Sequence, residues 1–166
     1  DGVFAKLYHF RDWKESYVTT DQLYPVRHVK ILEDRKYRAQ VKVDFDLKGC
    51  AQYSKNRDSK CIEVPIGIQD DLSMVYFVRL KELTVGQTYT LPVLVKDKPQ
   101  NVTLIIYRRE VMKTEALGRV ETLVLRTSHG YLMWLTNDKF RIPVRIEADT
   151  SVGRLIGTLE KVDFVN

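Results

Sequence analysis

Hydrophobic and polar residues alternate along most of this chain. Tyr37, Ala39, Val41, Val43, Phe45 and Leu47 fall on one side of a period of two, and Arg38, Gln40, Lys42, Asp44, Asp46 and Lys48 on the other. That is the pattern of a strand with one face on a core and one in water. Phe140, Ile142, Val144, Ile146 and Ala148 repeat it against Arg141, Pro143, Arg145, Glu147 and Asp149. A strand at 131–135 and the turn residues Thr136-Asn137-Asp138-Lys139 come before them, so the stretch is expected to be a hairpin. Pro143 has no N–H for a ladder and belongs at an edge or a bulge. Further strands are expected at 14–19, 24–32, 61–68, 87–95, 102–112, 119–127 and 154–164, with turns at Glu33-Asp34-Arg35-Lys36 and Asp97-Lys98-Pro99-Gln100. Residues 102–107 are apolar on both faces, which predicts a strand inside a sheet or covered on both sides.

One segment departs from this period. Asp70-Asp71-Leu72-Ser73 has the acidic and hydroxyl residues of a helix start. Leu72, Val75, Tyr76, Leu80 and Leu83 then recur at helical spacing up to Gly86, and Met74, Phe77 and Val78 make the run apolar nearly all round. A buried helix over about 71–83 is the expectation, and a second, short helix is expected at 2–10. The fold class is therefore mainly β: an antiparallel, strongly curved sheet or open barrel wrapping one buried helix, in a single domain of 1–166.

Composition narrows the setting. The charge of +5 comes from 27 basic and 22 acidic residues spread along alternating strands, the mark of solvated faces and not of a nucleic-acid surface. No apolar run approaches the roughly 18–20 residues of a membrane helix, which leaves contact with a membrane surface as the membrane role available. Cys50 and Cys61 flank the polar stretch AQYSKNRDSK, each at the end of a run that resembles a strand. A hairpin with a long tip would bring them together. A disulfide, implying an oxidising compartment, is favoured over two free thiols. His9, His28 and His129 are far apart in sequence and the cysteine spacing does not fit a zinc knuckle, so no metal and no cofactor are expected.

Candidate chemistry is sparse. Arg79 sits in the apolar helix and must find carboxylates or carbonyls, because an unpaired buried guanidinium is very costly. Asp44, Asp46, Asp138 and Asp149 are the partners considered; a structural ion pair is favoured over a site for an anionic head group. Ser128-His129-Gly130 lacks the strained elbow of a nucleophile, and no two carboxylates are spaced to flank a sugar bond. Tyr8, Phe10, Trp13 and Tyr17 could stack on a glycan or a base, but core or a covered edge is favoured.

Three stretches together resemble the bacterial family catalogued as domain of unknown function 3108. They are SYVTTDQLYPVRHVKILEDRKYRAQVKVDFD, DDLSMVYFVRLKELTVGQTYTLPV and YLMWLTNDKFRIPVRIEADTSVGRLIGTLEKV. The resemblance runs over about 4–165, and its most specific pieces are LSMVYFVRL…VGQTY and WLTNDKFRIPVRIE…VGRLIGTL. It implies an exported, β-rich protein of a Gram-negative envelope, periplasmic or outer-membrane-associated, with no assigned activity. Arg79, Trp134, Asp138, Arg141 and Pro143 match the family's recurrent positions. Arg79, Trp134, Arg141 and Tyr76 are accordingly the candidate ligand-binding residues, and Arg79, Asp138 and Arg141 the candidate ion pair. The family usually opens with a further strand-rich stretch ahead of the point matching Asp1. An incomplete barrel or curved sheet is therefore expected, unless a partner supplies the missing strands or truncation removed them, and an exposed edge of that kind invites a homodimer. The functional expectation is a non-catalytic envelope protein that binds a lipid-like or glycan ligand or another envelope protein. A scaffolding module that pairs through a β-edge is the alternative, and an enzyme acting on cell-wall glycan a more distant one.

Overall fold

The computed structural model describes residues 10–34, 37–46, 48–150 and 153–163. The chain is mainly antiparallel β, as the alternation predicts, but its strands form two sheets instead of one curved sheet. The first is a five-stranded meander of β1 (Phe10–Val18), β2 (Pro25–Asp34), β3 (Tyr37–Phe45), β4 (Cys50–Lys55) and β5 (Asp58–Glu63). The second runs in reverse sequence order, from β11 (Gly153–Thr158) through β10 (Pro143–Thr150), β9 (Leu132–Thr136), β8 (Gly118–Thr127) and β7 (Lys98–Thr114) to β6 (Thr88–Val95). Within each sheet every strand pairs with its neighbour in sequence, so short turns satisfy the ladders without long crossovers. The expected short helix at 2–10 lies outside the described residues apart from Phe10, which begins β1.

The chain divides into two compact units. The first holds Asp1–Val78 and Leu91–Asn101, the second Arg79–Thr90 and Val102–Asn166. In the first, alternation puts Val43 and Phe45 of β3 and Ala51 of β4 on one face, where they pack with Val64, Ile68 and Leu94. The segment after β5 joins this core through Gln69, whose N–H bonds Pro92 O and whose carbonyl accepts from Leu94 N, each at 2.8 Å. Gly67 precedes it in the left-handed region, and a Cβ there would come within 3.2 Å of the Tyr24 ring, so the position requires glycine.

The expected buried helix over 71–83 is a six-residue helix, α1 (Ser73–Val78). Its start is as the sequence indicates: Asp70 Oδ1 accepts the N–H groups of Leu72 and Ser73, each at 2.8 Å. The apolar run does not sustain it. Met74, Val75 and Val78 are buried, but Tyr76 is 51% exposed and Leu80 lies in water. Past Val78 the carbonyls of Arg79 and Lys81 accept from the guanidinium of Arg141.

Two further departures have local causes. The polar stretch between the cysteines is itself the β4–β5 hairpin: Lys55 opposes Asp58, and only Asn56-Arg57 form the tip. Asn56 takes φ +55°, which asparagine tolerates, and its N–H and side chain clip the tip to Gln40 of β3. Strand β7 is covered on one face alone, with Val102, Leu104 and Ile106 buried and Ile105 and Tyr107 exposed; β8 is the strand closed on both faces, at Leu123, Val124 and Leu125.

Cys50 and Cys61 are bonded across β4–β5, with Cα atoms 5.8 Å apart. Each lies two positions along from direct opposition, Cys50 facing Glu63 and Cys61 facing Gln52, so the bond runs diagonally over one face of the hairpin. A double Cys50→Ser, Cys61→Ser variant should lose about 2–3 kcal/mol of stability from restored chain entropy. Urea unfolding of the two proteins measures it, and the unreduced, denatured parent should show no free thiol.

Candidate functional site

Three groups of polar side chains are built into these sheets. The first surrounds the loop between β9 and β10. Asp138 Oδ1 accepts the Thr136 hydroxyl at 2.9 Å, the Phe140 N–H at 2.8 Å and the Arg141 N–H at 2.9 Å. This draws Arg141 into a left-handed conformation, φ +49°. Its guanidinium then reaches the carbonyls of Arg79, at 2.5 Å, and Lys81, while Arg79 Nη2 returns a bond to Phe140 O at 2.6 Å. Two arginines thus clasp two backbone segments reciprocally. Burial would raise the Asp138 carboxyl, but the Arg141 N–H, the Thr136 hydroxyl, the Phe140 N–H and the charge of Arg79 outweigh it and hold it below the ordinary 3.8. Of the carboxylates considered for Arg79, Asp138 is the one that its charge acts on here. Asp44 is held by Arg27 and Lys42, and Asp149 by Arg154.

The second group is a charged row around Trp134. Register brings it together: the β7–β8 pairing passes from Ile106↔Leu125 to Arg108↔Val124, leaving Tyr107 as an extra residue. The β9–β10 pairing passes from Leu135↔Pro143 to Trp134↔Arg145, leaving Val144 as another. A one-residue insertion moves all later side chains to the other face. Arg108 and Glu110 are thereby set on the face of Trp134, and Arg145 and Glu147 join them from the other side. The Trp134 indole N–H donates to Glu110 Oε1, Arg108 pairs with Glu110 at 2.7 Å, and Arg145 stacks over the indole at 5.4 Å while bonding Glu147 at 2.5 Å. Pro143 stands at this bulge, as its missing donor requires. The expected single face of Phe140, Ile142, Val144, Ile146 and Ala148 is broken at Val144: Val144 and Glu147 are buried, while Phe140 and Ile146 are exposed. Partial burial would raise the Glu110 carboxyl; the Trp134 indole and the charges of Arg108 and Arg145 hold it low. Both carboxylates have cationic partners, so the row is built as a matched ladder and not as an acid and base poised for proton transfer.

The structure therefore brings Arg79, Asp138 and Arg141 together and places Trp134 in a separate row of the same unit. Tyr76 belongs to the first unit, on the exposed side of α1.

The third group was not legible in the sequence. On the covered face of the first sheet, His28 of β2 lies opposite Ser16 of β1 and Val43 of β3. Asp70 and Asp71, just before α1, approach it. Ser16 donates to Asp70 Oδ2 at 2.6 Å, Lys14 pairs with Asp71 Oδ2 at 2.5 Å, and the two ring nitrogens of His28 stand 3.6 Å from Asp70 Oδ1 and Asp71 Oδ1. The Asp70-Asp71 pair was visible as a helix start; that a strand histidine would meet it had no local signal. Trp13 and Tyr17, on the opposite face of β1, are 55% and 54% exposed, where core or a covered edge was favoured.

These features define a mainly β, disulfide-bearing protein made of two antiparallel meanders. The chain belongs to the family described as Protein of unknown function (DUF3108), which matches residues 1–160. Neither the curated proteins nor the solved structures compared with it gave a match. The disulfide points to an oxidising compartment, as exported proteins meet. No helix among the described residues is long and apolar enough to cross a membrane.

Removing the Asp138 carboxylate tests the clasp. Asp138→Ala loses three hydrogen bonds, one from a hydroxyl and two from backbone N–H groups; because the carboxylate is partly in water, the cost should be about 1–2 kcal/mol. A carboxyl held below its unfolded value stabilises fully above that value, and the contribution fades as pH falls through the lowered one. The gap in stability between parent and variant should therefore be constant from neutral pH down to about 5 and close below about 4, which thermal unfolding across that range measures.

Proposed function

We propose that this chain is an exported, non-catalytic component of a Gram-negative envelope that binds another envelope protein through the β1 side of its first sheet. The observation that carries the reading is the pair Trp13 and Tyr17, both more than half exposed on an edge strand. Aromatic side chains of this kind supply rigid, amphipathic contact area and anchor interfaces. Ile31 of β2 stands directly opposite Trp13 and extends the apolar surface. Among the described residues β1 has a strand on one side alone, the arrangement to which a strand of a partner can add.

The lipid-like-ligand reading, with a curved sheet or open barrel closed over α1, calls for a cavity that side chains do not fill. Among the described residues, one pocket of the first unit, lined by Tyr24, Phe45, Val64, Ile66 and Ile68, has room for about one water molecule.

A photo-reactive phenylalanine analogue at Tyr17, in cells that export the chain, discriminates the two. Irradiation should give a covalent adduct with a protein, either a second copy or another envelope protein, from position 17 and none from the exposed Glu115. Native mass spectrometry showing a co-purifying lipid, together with no adduct at position 17, would overturn the proposal.

A further inference from the structure

We propose that His28, Asp70 and Asp71 form a binding site for a divalent transition-metal cation of the zinc class. One donor atom from each residue lies within 4.8 Å of the other two. His28 is only 8% exposed, and its Nδ1 is buried with no hydrogen-bond partner among the described residues. A buried ring nitrogen left unpaired is rare enough in native proteins to require an occupant. The two carboxylate oxygens facing the ring stand at 3.6 Å, too far for hydrogen bonds. Two ligands of a tetrahedral ion at 2.0–2.1 Å lie roughly 3.3 Å apart; each aspartate faces its own ring nitrogen, and since one nitrogen serves the ion, the three donor atoms would close from within 4.8 Å to that spacing on binding.

The surrounding bonds are those a ligand set needs. Asp70 Oδ2 carries one hydrogen bond, from Ser16, and Asp70 Oδ1 takes the backbone N–H groups of Leu72 and Ser73. Asp71 Oδ2 is held by Lys14, while its Oδ1 has the ring of His28 as its neighbour. Each carboxylate is thus oriented by partners outside the donor set; with two N–H groups on Asp70 Oδ1, the oxygens left with lone pairs to offer are Asp70 Oδ2 and Asp71 Oδ1. Asp71 is exposed, which gives the ion an entry path and leaves water to complete its shell. With imidazole and carboxylate donors and both cysteines committed to a disulfide, the set suits zinc better than a thiolate-seeking ion. Two carboxylates against one ammonium leave a net charge of −1 on Asp70, Asp71 and Lys14. Lys14 therefore opposes an incoming cation even as it orients Asp71.

The test uses the tag-free chain stripped with chelator. Zinc titrated by calorimetry should bind one per chain, and cobalt should give a visible absorption band at the same stoichiometry. His28→Ala and the exposed Asp71→Asn should each weaken binding roughly tenfold or more, whereas Lys14→Gln, which removes the competing charge, should tighten it. A histidine held only as an ion pair predicts none of this. If His28→Ala fails to fold, Asp71→Asn and Lys14→Gln decide the matter. No binding by the folded parent, or binding that neither of these two variants changes, overturns the site.

Discussion

Register is the constraint on which this structure depends. In sheets where each strand bonds the next, the phase of the alternation decides which side chains meet, and a shift of one residue exchanges the two faces. Three of the described strand pairs contain such a shift: at Tyr17/Val18, at Ile106/Arg108 and at Pro143/Arg145. The last two act together. Each brings a basic and an acidic residue, Arg108 with Glu110 and Arg145 with Glu147, onto the face of Trp134. Without both bulges Glu110 would turn away from the indole, and Trp134 would have neither an acceptor for its N–H nor a cation over its ring.

The same logic explains what the sequence could and could not disclose. Nearly all strands and most turns were legible, because alternation is a property of neighbouring residues. Pro143 even marked its bulge, since a residue without an N–H interrupts a ladder wherever it falls. The bulge at Tyr107 has no such marker and is seen only once β8 supplies the partner residues. The β4–β5 hairpin was hidden for another reason: its strands are polar on the exposed face that carries the disulfide, so the stretch resembled a loop. The segment that follows Val78 is held by Arg141, sixty residues or more away in sequence, whose guanidinium takes the carbonyls of Arg79 and Lys81, and no local pattern announces that.

Charges are managed in two ways. In the second unit each of the carboxylates Glu110, Asp138 and Glu147 accepts from several donors, and the depressed titration of Glu110 and Asp138 follows from that excess of donors over burial. These are arrangements that fix geometry. Arg79 and Arg141, the residues that invited a ligand reading, bond main-chain carbonyls and so hold a loop to the segment after α1. Guanidinium groups suit this role, since their fork of donors can serve several oxygens at once.

The first unit handles polarity differently. The face that carries Val43 and Phe45 becomes polar toward β1, where Lys14, Ser16 and His28 stand. A row of valines there would bury more apolar surface and leave no polar atom to satisfy. The polar row instead fixes where α1 can sit: Ser16 and Lys14 each hold one of the two aspartates that precede it, and Asp70 in turn caps the helix. Orientation of α1 is therefore specified by two side chains of β1, where apolar packing would permit sliding. His28 stands beyond hydrogen-bonding distance from both aspartates. Its buried Nδ1 has no hydrogen-bond partner among the described residues, which is the physical ground for assigning it a ligand.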